Sequence, residues 1–164
     1  MTRVSLLLAI FPAVLLLAAC QPSAERSSVP VRAAPPSETA AERRLADWTA
    51  ALEAPLGAAG QSGLTKTDAE AAAAVEAARA VLGEKRSTLS ATRARVLQSR
   101  LPQSALDSVI ADARQNVATM RRAARACASR RGSLAGTVSD AALADLDRRA
   151  RSLGELASAL EAEL

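Results

Sequence analysis

The sequence predicts an all-α fold: an antiparallel bundle, or a hairpin, of about four helices with coiled-coil-like seams. Three observations predict it. Alanine and leucine supply 41 and 22 of the 164 residues, and both enter helices at little cost. Aromatic residues are nearly absent, with one Trp, one Phe and no Tyr, whereas the pleated faces of a sandwich or barrel draw on β-branched and aromatic side chains. Apolar residues also recur three and four positions apart over long stretches, which is the period of a helix face.

The helical domain is expected over residues 37–164. Ser37 follows Pro35 and Pro36 and is placed to cap a first helix running to about Ala54. Within it Ala41, Leu45, Trp48 and Leu52 share one face. Pro55 and the Gly-rich run at 57–63 stop it. Thr65 and Asp68 have capping-box spacing and open a second helix with Ala71, Val75, Ala78 and Leu82 on one face. Gly83 either ends this helix, giving a five-helix bundle, or is crossed at a cost of about 1 kcal/mol. Leu89, Val96 and Leu97 resume the apolar spacing and favour one long helix to about Arg100. Pro102 suits a helix start.

The next helix, about 103–131, has the clearest pattern. Leu106, Ile110, Ala113, Val117, Met120, Ala124 and Cys127 form a seam of heptads. Gly132 and Gly136 flank a short turn. Leu143, Leu146, Ala150, Leu153, Ala157, Leu160 and Leu164 repeat the pattern to the end. Two such seams with a short connection predict an antiparallel hairpin. A partly open coiled coil completed by a partner is the alternative architecture.

Residues 1–19 have the layout of an export signal: Arg3, then an uncharged, mostly apolar stretch over 4–17. It leads into Leu17-Ala18-Ala19-Cys20, a branched aliphatic and two small residues before a cysteine. This resembles the lipobox of bacterial lipoproteins. The resemblance implies cleavage before Cys20, acylation of its thiol and retention on a membrane. Gln21 stands where Asp, in lipoproteins of the enterobacterial type, marks retention at the inner membrane, so the resemblance implies the outer membrane, facing the periplasm. The resemblance fixes a processing class and leaves the mature domain unassigned. An uncleaved transmembrane anchor is the competing reading, and its apolar run is borderline in length with Pro12 inside it. Residues 20–36 carry four prolines and little apolar bulk, so they read as a flexible Pro-rich linker. The 17 residues at 21–37 allow a reach of ~50 Å.

The absence of histidine removes the commonest general base and metal ligand. Asp145 and Asp147, like Glu161 and Glu163, point to different sides of a helix. Lys66 and Lys85 follow no Ser-x-x-Lys pattern, and no Gly-Lys-Ser/Thr follows Gly57 and Gly60. No enzyme, no cofactor and no metal is therefore expected. Cys127 has arginines around it in sequence (Arg121, Arg122, Arg125, Arg130, Arg131), and cations activate thiols. Its seam position instead wants a small core residue. With Cys20 acylated, its functional option is an intermolecular disulfide.

Charge separates the domain more sharply. Residues 84–131 hold 11 basic and 3 acidic residues, net +8, whereas 37–83 and 137–164 are each net −3. One reading pairs the basic middle with its acidic neighbours inside the bundle. The other exposes a basic docking face on Arg114, Arg121, Arg122 and Arg125 for an acidic protein or anionic lipid. Nucleic acid is not expected, because the chain reads as exported and lacks aromatic stacking residues. The expected role is a non-enzymatic interaction or scaffolding subunit of the envelope, with self-association open. A small helical pilot or chaperone for a secretion component is the alternative among binding proteins. A periplasmic enzyme is the rival from another class.

Overall fold

A computed structural model describes residues 38–57 and 60–164 of the chain. The signal segment, Cys20 and the linker at 20–36 lie outside the described residues. Four helices follow in order among the described residues: α1 (Ala40–Glu53), α2 (Gln61–Leu97), α3 (Gln103–Leu134) and α4 (Asp140–Glu161). The all-α bundle expected from the sequence is what the described residues form. Among the described residues no helix is long and apolar enough to cross a membrane.

Helix α1 starts two residues later than expected. Thr39 and Glu42 form a reciprocal capping box, with the Thr39 amide donating to Glu42 Oε2 at 2.6 Å and the Glu42 amide to Thr39 Oγ1 at 3.2 Å. Glutamate three residues after a Thr is the pairing such a box prefers. The helix ends at Glu53, because Ala54 precedes Pro55 and is held extended.

Helix α2 starts earlier than expected, at Gln61, with Gly60 at φ 88 providing the turn. Thr65 and Asp68 therefore do not cap it. Thr65 donates to the Gln61 carbonyl, and Asp68 bridges to Arg149 on α4. Gly83 is crossed, leaving one helix of 37 residues.

Helix α3 likewise overruns the expected end at Arg131. Gly132 is helical, and Gly136, at φ 78, makes the turn. The extra turn places Leu134 in the core. Ser139 caps α4 by accepting from the Ala142 amide.

Side-chain pairing fixes the directions. Glu42 meets Lys85, while Arg130 reaches the end of α1 together with Thr67 and Glu70 of α2. Thus α1 runs antiparallel to α2 and parallel to α3. Cys127 faces Leu146, and Arg131 pairs with Asp147 across the antiparallel α3–α4 hairpin. Helices α2 and α3 pack on each other and each contacts both outer helices, but among the described residues α1 and α4 do not pack together. The cross-section is a rhombus with α2–α3 as its short diagonal.

Much of the core is alanine, including Ala71, Ala74 and Ala78 of α2 and Ala113 and Ala123 of α3. Small side chains bring the helix axes close but bury modest area each. Leu45, Leu52, Leu89, Met120, Leu146 and Leu153 supply bulk between them. Two seam assignments fail. Trp48 is 37% exposed, because the buried stripe of α1 turns to Thr49, whose hydroxyl donates to the Leu45 carbonyl at 2.7 Å. Leu97 is 86% exposed at the end of α2, where no neighbouring helix continues the seam.

Candidate docking site

Helix α3 occupies an obtuse corner of the rhombus, so one of its faces looks outward between α1 and α4. Arg114, Arg121, Arg122 and Arg125 are all exposed on it. Arg114, Arg121 and Arg125, spaced seven and four apart, lie along one ridge, and Arg122 stands beside it on the α1 side. They line a groove of about 550 Å³ on the α4 side, whose apolar part is Val117, Ala118 and Leu164. A second groove, about 470 Å³, lies on the α1 side and shares Arg122 and Arg125, with Leu52, Leu56 and Ser129 in its wall.

The four guanidiniums are not equivalent. Arg121 pairs with Glu161 of α4, and Arg122 Nε lies 3.2 Å from Glu53 Oε1 of α1. These exposed pairs tie the ridge to its flanking helices but stabilise by only about 0–1 kcal/mol each. Among the described residues, Arg114 and Arg125 make no ion pair. Two of these arginines are thus paired with acids of the flanking helices, and two present open charge beside apolar surface.

Arg130, grouped by sequence with these arginines, is withdrawn from the surface. Only 4% exposed, it donates to Glu70 Oε2 at 2.5 Å, to Thr67 Oγ1 at 3.1 Å and to the Ala51 and Ala54 carbonyls. It caps the C-terminal end of α1, where those carbonyls lack helical partners. Its Nε has no hydrogen-bond partner.

A second buried cluster sits at the other end of α1. Lys85 pairs with Glu42 at 2.5 Å and with Asp112, and Asn116 donates to Glu42 Oε1 at 2.6 Å. Burial alone would raise the Glu42 pKa. The hydrogen bonds from Lys85, the Thr39 amide and Asn116 reverse that, and the carboxyl sits below its ordinary 4.5. Lys85 behaves in mirror image: burial would lower it, but Asp112 and Glu42 hold it above its ordinary 10.5.

Both clusters pair the basic middle segment with acids of 37–83, and the sequence carries a signal for which residues are buried in them. Lys85 continues the spacing of Ala78, Leu82 and Leu89, and Arg130 stands between Cys127 and Leu134. A charged residue in seam phase must be buried with partners or break the seam.

Cys127 lies in the core, its Sγ 3.5 Å from the Leu146 carbonyl. Burial pushes its thiol up to about 11, so the surrounding arginines do not activate it. Comparison with protein-family models, curated proteins and solved structures gives no match.

Proposed function

We propose that the chain is a non-enzymatic lipoprotein of the bacterial envelope, an interaction or scaffolding subunit held by an acylated Cys20 on the periplasmic face of the outer membrane. Its docking element is the outer face of α3. The carrying observation is the pair Arg114 and Arg125, two exposed guanidiniums without ion-pair partners among the described residues, set beside an apolar groove. Open positive charge steers an acidic partner and sets its register, and the apolar floor supplies contact area. An acidic protein segment uses both, whereas a bare lipid headgroup uses only the charge. The anchor is supported by the Leu17-Ala18-Ala19-Cys20 motif.

The test compares the acylated protein with a variant carrying Gln at 114, 121, 122 and 125, each recovered from its own envelope after crosslinking. The wild type retains a partner that is lost as salt rises, because the Debye length shrinks from about 10 Å at 0.1 M to about 3 Å at 1 M. The variant loses the same partner at low salt. Retention that ignores both salt and the four substitutions would remove this face from the function. Cys20→Ser should abolish lipid labelling and leave unprocessed precursor; continued labelling would remove the anchor.

A further inference from the structure

The α2–α3 corner carries a surface that the docking site does not use. Residues 97–100 are all exposed, and Val96 and Leu101 are half-buried beside them. Leu97, 86% exposed, is flanked by Arg95 and Arg100, which make no ion pair among the described residues. Arg93 and Arg95 precede Leu97 on α2, and the nearest acid on α3 is Asp107, bonded to Gln103.

The corner is closed by a defined hydrogen-bonded turn. Ser99 adopts φ 53, its amide donates to the Val96 carbonyl and the Arg100 amide to the Arg95 carbonyl, each at 2.9 Å. These are the two bonds of a Schellman turn, in which glycine ordinarily takes the left-handed position.

The place of this corner gives it a meaning. Helix α4 ends near Arg86 and Arg93, whose side chains reach Glu163. Helix α1 opens beside Lys85 and Asp112. Twelve further residues of α2 carry the chain from Lys85 to Leu97, ~18 Å at the helical rise. The chain therefore enters α1 at the end of the bundle where the apolar, basic corner projects.

We infer that the α2–α3 corner is a membrane-contact tip that rests on an anionic lipid surface, with Leu97 inserted among the acyl chains and Arg95 and Arg100 on the headgroups. This rests on the lipoprotein reading for the anchor that brings the tip to the bilayer, and charge complementarity selects the surface. An exposed leucine between basic residues has the pattern of an interfacial anchor.

The experiment places single tryptophans in the full chain with Trp48→Phe: Leu97→Trp at the tip, and Ala135→Trp at the opposite end as control. Both positions are exposed, so neither change disturbs packing. Vesicles of phosphatidylglycerol and phosphatidylethanolamine with brominated chains are compared with phosphatidylcholine vesicles. Tryptophan at 97 should shift blue and be quenched on the anionic vesicles, while that at 135 stays unquenched. Adding Arg95→Gln and Arg100→Gln should weaken this association on the order of tenfold, as should raised salt.

Equal quenching at both positions, no quenching at 97, or indifference to headgroup charge would overturn the tip. So would shielding of position 97 only when envelope proteins are present. The mass of the N-terminal peptide reports acylation separately. An acylated chain with an unquenched tip refutes the tip and leaves the anchor standing. An unacylated chain quenched at 97 refutes the anchor and leaves the tip standing.

Discussion

At the scale of single residues, the most consequential side chains are buried charges. Lys85 is almost fully enclosed with Glu42 and Asp112. Replacing it with Met leaves two carboxylates facing each other without their cation, and breaking a buried pair in this way costs about 3–5 kcal/mol. A thermal or urea melt of Lys85→Met checks this, and an unchanged midpoint would mean the cluster is solvated. The pair also predicts a pH profile. Glu42 titrates below 4.5 when folded, so the unfolded chain binds its proton more readily. Its contribution is complete above 4.5 and disappears as pH falls through the lower folded value. Lys85 titrates above 10.5 when folded, so its contribution is complete below 10.5 and disappears as pH rises through the higher folded value. Melting temperature against pH should show a plateau between these limits, and Lys85→Met should remove the alkaline shoulder. Cys127, with its thiol pushed up to about 11, should stay unmodified by a thiol reagent in the native state and react promptly in denaturant.

At the scale of elements, helix length and helix edges had different legibility. The seams of α3 and α4 were readable because they repeat over several turns, and Ala113, Met120, Leu146 and Leu153 are buried as their phase requires. Edges were less readable, because each turns on a local contest. Thr65 with Asp68 resembled a start, but Gly60 allowed one a turn earlier, and burying Leu134 carried α3 past Gly132. Of the candidate site, the positions of the four arginines on one exposed face were legible from spacing. Their inequality was not, since it depends on Glu53 and Glu161 arriving from other helices. Two predictions belong here. A Cβ at Gly83 or Gly154 meets nothing within 4 Å, so Gly→Ala at either site should stabilise by about 0.5–1 kcal/mol. Ala113 is fully enclosed in the α3 seam, so Ala113→Asp should lower the melting temperature by desolvating a charge. No change in melting would place that seam at the surface.

At the scale of the whole molecule, the rhombic arrangement makes α1 and α4 separate attachments to the α2–α3 pair. Helix α4 is held through Leu143, Leu146, Leu153, Ala157 and Leu160, a continuous apolar stripe indifferent to pH. Its ion pairs to Asp68, Arg121 and Arg131 are solvent-accessible and contribute only about 0–1 kcal/mol each. Helix α1 is shorter, with Ala41, Leu45 and Leu52 as its buried apolar residues, and an ionic cluster holds each end. Glu42 contributes one clamp directly. Arg130, neutralised by Glu70, contributes the other through the Ala51 and Ala54 carbonyls. Protonating Glu42 leaves Lys85 with Asp112 alone and loosens the helix at its first turn. Acid should therefore release α1 before the α2–α3–α4 core unfolds, a sub-global opening of the kind that local differences in stability produce. Hydrogen exchange followed by mass spectrometry measures this. As pH falls below 4.5, peptides covering Ala40–Glu53 should lose protection first, after correction for intrinsic rates. Glu42→Gln should produce the same early exchange at neutral pH. Simultaneous loss of protection in α1 and α4 would mean that the apolar stripe, rather than the two clamps, governs how α1 is held.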